Sequence, residues 1–123
     1  MIIIILVISI DALSADFLCI VDEKYDFGKV YSKIEVDKWK FSAKIEDHGT
    51  SAFVSRCSYT NSVGQVTCDR YKADRIEYDE NVNIKKYYIF RSQYNIQLFK
   101  DLSFIEDNGR GGISYGKCQI ISP

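Results

Sequence analysis

Most of the chain is written in short runs of alternating apolar and polar side chains, and one capped stretch near the start breaks that pattern. Residues 51–59 and 65–70 alternate with the two-residue period of half-buried strands. They face each other across Thr60-Asn61-Ser62-Val63-Gly64, which predicts a hairpin. Strands are also expected at 74–79, 84–92, 94–99, 102–105 and 113–121, and a short apolar one at 17–21 with a polar turn at 22–28 behind it. The turns between them rely on Gly and Asn, because the only proline is Pro123. The exception is 33–47. Ser32 and Glu35 have the spacing of a capping box, Tyr31 and Val36 that of a hydrophobic staple, and Gly49 offers a stop. These signals predict a helix with Ile34, Trp39, Phe41 and Ile45 on its buried side. The shared parity of Val30, Ile34 and Val36 leaves a strand open as the competing reading. One N-terminal helix packed on an antiparallel β-sheet is an α+β domain, and that is the expected fold class.

Met1 to Ile10 is almost unbroken Ile, Leu and Val, too short for a membrane span but of the length of a signal-peptide core. Small residues at Ala12, Ser14 and Ala15 offer cut sites. The expected organisation is therefore a signal peptide over 1–15 and a single domain over 16–123; a buried N-terminal strand is the alternative. Cleavage removes Asp11 alone among the charged residues and takes the formal charge from −1 to zero. A protein that holds nucleic acid by neutralising phosphates carries a net basic field, so any RNA contact would have to be a local patch.

All four cysteines, Cys19, Cys57, Cys68 and Cys118, follow the expected cut, which suits an oxidising compartment and two disulfides. Three pairings can be drawn. The favoured one joins Cys57 to Cys68 across the hairpin and Cys19 to Cys118 across the length of the domain. A metal site is disfavoured, because there is no Cys-x-x-Cys pair and His48 is the only histidine. No cofactor is expected. Asp79-x-Asn81-x-Asn83 begins like a calcium loop but has Ile84 where glycine belongs and Phe90 where a bidentate glutamate belongs. Gly109-Arg110-Gly111-Gly112 lacks the spacing of a phosphate-binding loop and reads as a tight turn. His48 reads as a helix C-terminal residue before it reads as a catalytic one. The run 85–91 interleaves cations with aromatics, with Lys85, Tyr87, Ile89 and Arg91 on one face and Lys86, Tyr88 and Phe90 on the other. That composition suits a strand at the edge of a core and also a surface that stacks bases.

The stretch Ala73-Asp74-Arg75-Ile76-Glu77-Tyr78-Asp79-Glu80-Asn81 resembles the strand of small secreted fungal ribonucleases that carries a phosphate-binding arginine, and Arg75 matches that arginine. Phe17-Leu18-Cys19 resembles the aromatic-x-Cys start of the ribonuclease-like secreted effectors of powdery-mildew fungi, whose cysteine bonds near the C-terminus. The resemblance implies a ribonuclease-like fold and ancestry. It does not imply catalysis: Arg56 stands where the enzymes carry a glutamate, and no histidine follows the strand 88–91. The expectation is a secreted, non-catalytic, ribonuclease-like effector or virulence protein. It would bind a host protein or RNA, or be recognised by a host immune receptor, and delivery into host cells is open as its destination. Candidate binding residues are Arg75, Arg56, Lys85, Lys86, Tyr88 and Arg91; no membrane contact is expected after cleavage. The alternatives are an active secreted ribonuclease using Arg75, Arg56 and His48, and an extracellular structural or inhibitory module.

Overall fold

The structure, a computed structural model, describes residues 14–122. The expected signal segment falls almost wholly on Met1 to Leu13, outside the described residues. Ten strands form one antiparallel sheet: β1 (Ala15–Asp26), β2 (Lys29–Val30), β3 (Ser42–Asp47), β4 (Ala52–Thr60), β5 (Gln65–Lys72), β6 (Arg75–Asp79), β7 (Ile84–Ile89), β8 (Tyr94–Phe99), β9 (Ser103–Asp107) and β10 (Ile113–Ser122). Among the described residues a single α-helix, α1 (Lys33–Trp39), lies between β2 and β3. Of the described residues 63% are in strands and 9% in helix, which overturns the α+β, ribonuclease-like expectation: the fold is a curled, antiparallel half-barrel, nine strands along the main path of the sheet and β2 beside it, with one short helix.

The expected 33–47 helix is where the sequence misleads. Its N-terminus forms as read, with Ser32 Oγ accepting from the Glu35 N–H at 3.2 Å and the Glu35 carboxylate accepting from the Ser32 N–H at 3.2 Å. After two turns the chain leaves the helix at Lys40, which caps it with a left-handed backbone (φ 52°). From Ser42 the alternation Ala43, Ile45, Asp47 takes over, and all three are buried in β3. That stripe can be covered only by pairing with β1 and β4, and the sheet contacts outweigh local helix propensity. Gly49 (φ 89°) therefore turns β3 into β4 and does not end a helix. Of the residues expected on the helix's buried side, Ile34 is exposed and Ile45 is buried in β3; the helix residue that enters the core is Val36, which was not among them.

The strand order is β5-β4-β3-β1-β10-β9-β8-β7-β6, with β2 appended to β1. Two meanders thus meet at a central seam where the first and last strands pair. Its edges, β5 and β6, are consecutive in the chain and separated only by Ala73 and Asp74. The Ala73 N–H donates to Ala52 O on β4, and the Asp74 N–H donates to Tyr88 O on β7, each at 2.8 Å. Successive residues therefore bond to opposite ends of the sheet, and the sheet has to curl for them to do so. Its concave face is packed with Phe17, Val21, Ile45, Val54, Tyr87, Ile89, Tyr94, Ile96, Leu98 and Phe104. Burying each large side chain of this set stabilises the fold by about 1.5–3 kcal/mol.

Both favoured disulfides are present. Cys19 lies directly opposite Cys118 across β1 and β10, and Cys57 opposite Cys68 across β4 and β5. Among the described residues no helix is long and apolar enough to cross a membrane.

Candidate functional site

Alternation along β7 sorts its cationic and aromatic residues onto two faces. Lys85, Tyr87 and Ile89 point into the core, while Lys86 and Tyr88 stay half-buried on the other side. Arg91 lies beyond the strand, exposed in a single 3-10 turn over Phe90–Ser92. The buried Lys85 Nζ sits 2.6 Å from Asp47 Oδ2, and the Tyr87 hydroxyl donates to the same oxygen at 2.6 Å. Burial and this carboxylate hold the Tyr87 phenol well above its ordinary range. The Tyr88 ring packs against Phe90, with centroids 6.1 Å apart. The six candidate residues therefore do not form one basic surface.

Two of them do meet. Arg75 and Lys85 line a cleft of about 510 Å³ where the sheet edges come together, joined there by Lys72, Asp74, Tyr78 and Ser51. Lys72 ends β5, Arg75 begins β6, and the two-residue link between these strands brings both cations to the same mouth. The Arg75 guanidinium is exposed and rests 3.0 Å from Glu77 Oε2, a partner two residues along the same strand. Asp74 Oδ2 accepts from the Phe90 N–H at 2.7 Å, which fixes the corner. His48 is not among the cleft's lining residues. It is exposed in the β3–β4 turn with its ring 5.9 Å from that of Phe53, so its expected place at a helix C-terminus is corrected to the end of a strand.

Arg56 belongs to a different place, a cavity of about 220 Å³ at the opposite end of β4. It lies on the inward face, a third exposed, with its guanidinium carbon 4.6 Å from the Tyr94 ring centroid. Below it is the buried Glu106, whose Oε2 accepts the Tyr94 hydroxyl at 2.5 Å and lies 3.6 Å from Arg56 Nε. At that separation the charges attract without a hydrogen bond, and Arg56 Nε is a buried donor with no hydrogen-bond partner. Across the cavity Lys24, on β1, rests over the Phe41 ring at 4.9 Å and the Tyr31 ring at 5.7 Å, and reaches Ser114 Oγ at 3.4 Å. Burial lowers the Lys24 amine below its ordinary range; Glu106 opposes that shift and the neighbouring Arg56 adds to it.

Sequence reasoning missed Lys24, Asp47, Lys72, Tyr94 and Glu106. For two of them the signal was parity. Asp47 continues the inward stripe of Ala43 and Ile45, and Glu106 that of Phe104. A carboxylate at an apolar parity position has to find a buried partner. The tight turn at Gly109 is as read: Asn108 Oδ1 accepts the N–H groups of Arg110 and Gly112, and the Arg110 guanidinium donates to Ser92 O. Asp79-Asn83 likewise forms a turn, with Asp79 Oδ1 accepting the Asn81 N–H. Among the described residues no group of three or more His, Cys, Asp or Glu side chains is placed to hold a metal ion. Comparison with protein-family models, with curated proteins and with solved structures finds no match for the chain.

Proposed function

We propose that the protein is a secreted, non-catalytic binding module that holds an acidic, extended segment of a partner protein at the cleft beside Arg75. The observation that carries this reading is the convergence of Lys72 and Arg75 on one open cleft at the unpaired edge of β6. Two disulfides support an oxidising compartment. Closed eight-stranded barrels hold either their own side chains or one small ligand; here Tyr87, Tyr94 and Phe104 fill the concave face, so a macromolecular partner has to be met from outside. An edge strand offers unpaired backbone groups to an extended peptide, and the flanking cations select an acidic one. The near-zero net charge favours a short acidic segment over a polyphosphate chain.

Fluorescence polarisation tests this with the oxidised protein and three labelled probes: an acidic β-forming peptide, its basic counterpart and a single-stranded RNA. The acidic peptide is expected to bind, and Lys72→Ala with Arg75→Ala to weaken it by about tenfold or more; both residues are exposed, so the variant keeps its fold. Tighter binding of the RNA, RNA turnover abolished by Arg75→Ala, indifference to the double substitution, or no binding of any probe each overturn the reading.

A further inference from the structure

The cavity at Arg56 has the opposite design to the open cleft: it is small, and its walls carry both signs of charge. Lys24 and Arg56 line it from β1 and β4. Asp69, which faces Arg56 directly across β4 and β5, also lines it, together with Ser42 and Ser58. Glu106 closes the floor, its carboxylate engaged by Tyr94 and attracted by Arg56. Among the described residues the Asp69 carboxylate has no hydrogen-bond or ion-pair partner, and Arg56 Nε is a buried donor with no hydrogen-bond partner. A charged donor and a charged acceptor therefore line the same cavity without serving each other.

We infer that this cavity is a binding site for a small zwitterion, a free α-amino acid, with its carboxylate held by Arg56 and Lys24 and its ammonium by Asp69. Three observations lead there. The volume of about 220 Å³ lies below the roughly 300–1,000 Å³ of sites for drug-sized ligands, so the occupant has only a few heavy atoms. The two cations are held by aromatic rings, Lys24 over Phe41 and Arg56 over Tyr94, so their heads are positioned before any ligand arrives and little ordering cost remains on binding. Finally, the Lys24 amine is lowered first by burial, with Glu106 opposing the shift and Arg56 adding a smaller repulsion, and a carboxylate that reaches both cationic heads relieves that repulsion. A simple anion would satisfy the cations but meet Asp69 as a like charge. A simple amine would do the reverse. A group carrying both charges a few bonds apart satisfies each wall. The site is separate from the cleft at Arg75 and stands or falls independently of it.

The test is a titration of the oxidised, folded protein with glycine, alanine and glutamate, and with acetate and methylammonium as the two half-ligands, followed by amide chemical shifts of Ser42, Cys57, Ser58 and Asp69. At least one amino acid is expected to bind more tightly than either half-ligand, with shifts confined to this cavity. Asp69→Asn, at an exposed position that leaves the fold intact, is expected to weaken the amino acid by about tenfold while leaving acetate unchanged or improved. Arg56→Gln is expected to weaken both. Acetate binding as well as the amino acids, with Asp69→Asn without effect, makes this a plain anion site and overturns the proposal. So does the absence of shifts with any of the five compounds at millimolar concentration.

Discussion

At the scale of single residues, the tightest constraint is Gly116 on β10. A Cβ at this position would lie 1.9 Å from Ile20 O and 2.7 Å from the Phe104 ring. The first contact is backbone, in the central seam, so it cannot be relieved by rotating a side chain. Gly116→Ala is expected to cost about 1–3 kcal/mol, read as a lower urea midpoint at unchanged slope. Two buried phenols set the alkaline limit. Burial raises both Tyr87 and Tyr94 above the ordinary value of 10.0, so the folded state keeps protons that the unfolded chain releases. Stability is therefore fully present below pH 10 and falls as pH rises above it. In a spectrophotometric titration, two of the nine tyrosines are expected to ionise only together with unfolding. Tyr87→Phe together with Tyr94→Phe should remove that coupled step.

At the scale of elements, how much the sequence discloses depends on how far away the deciding partner lies. The Ser32–Glu35 cap is contained in four residues and forms as read. The β4–β5 hairpin and the strand 94–99 are set by local alternation and by neighbours along the chain, and they too are as expected. β1 runs on through the expected turn to Asp26, because β10 continues beside it past a bulge near Val21 and no local residue announces that partner. β3 was hidden for the same reason, its cover coming from β1 and β4. The candidate site was half legible: Arg56 and Arg75 were singled out, but they lie in separate cavities, and their neighbours Lys24 and Lys72 are brought in by strand pairing. The disulfides differ in a way that can be measured. Cys19 and Cys118 are buried and close a separation of 99 residues; Cys68 is exposed and its bond closes 11. Mild reductant is expected to open Cys57–Cys68 first, by mass spectrometry of alkylated intermediates. Losing the outer bond should cost more, by loop-closure entropy about 4.7 against about 3 kcal/mol.

At the scale of the whole molecule, the buried set Asp47, Lys85 and Tyr87 links β3 to β7, strands from the two separate meanders. Its attraction is offset by desolvation, so its main effect is on register: a one-residue slip of β7 would carry Lys85 and Tyr87 to the outer face. The central seam has a further consequence, in folding kinetics. Neighbouring strands in the sheet are consecutive in the chain apart from β1 with β3, which β2 and α1 separate, and β1 with β10, whose partners Asp16 and Ser122 come from the two extremes of the described chain. Joining those ends with a short linker and opening the chain between Ala73 and Asp74 would produce a circular permutant running from β6 to β5 as a nearly uninterrupted up-and-down meander. Its contact order would be much lower with the same strands side by side, so it should refold faster than the natural connectivity in stopped-flow experiments under reducing conditions. The first and last described strands meet in the middle of the sheet, and the permutant would turn that one distant pairing into a local one.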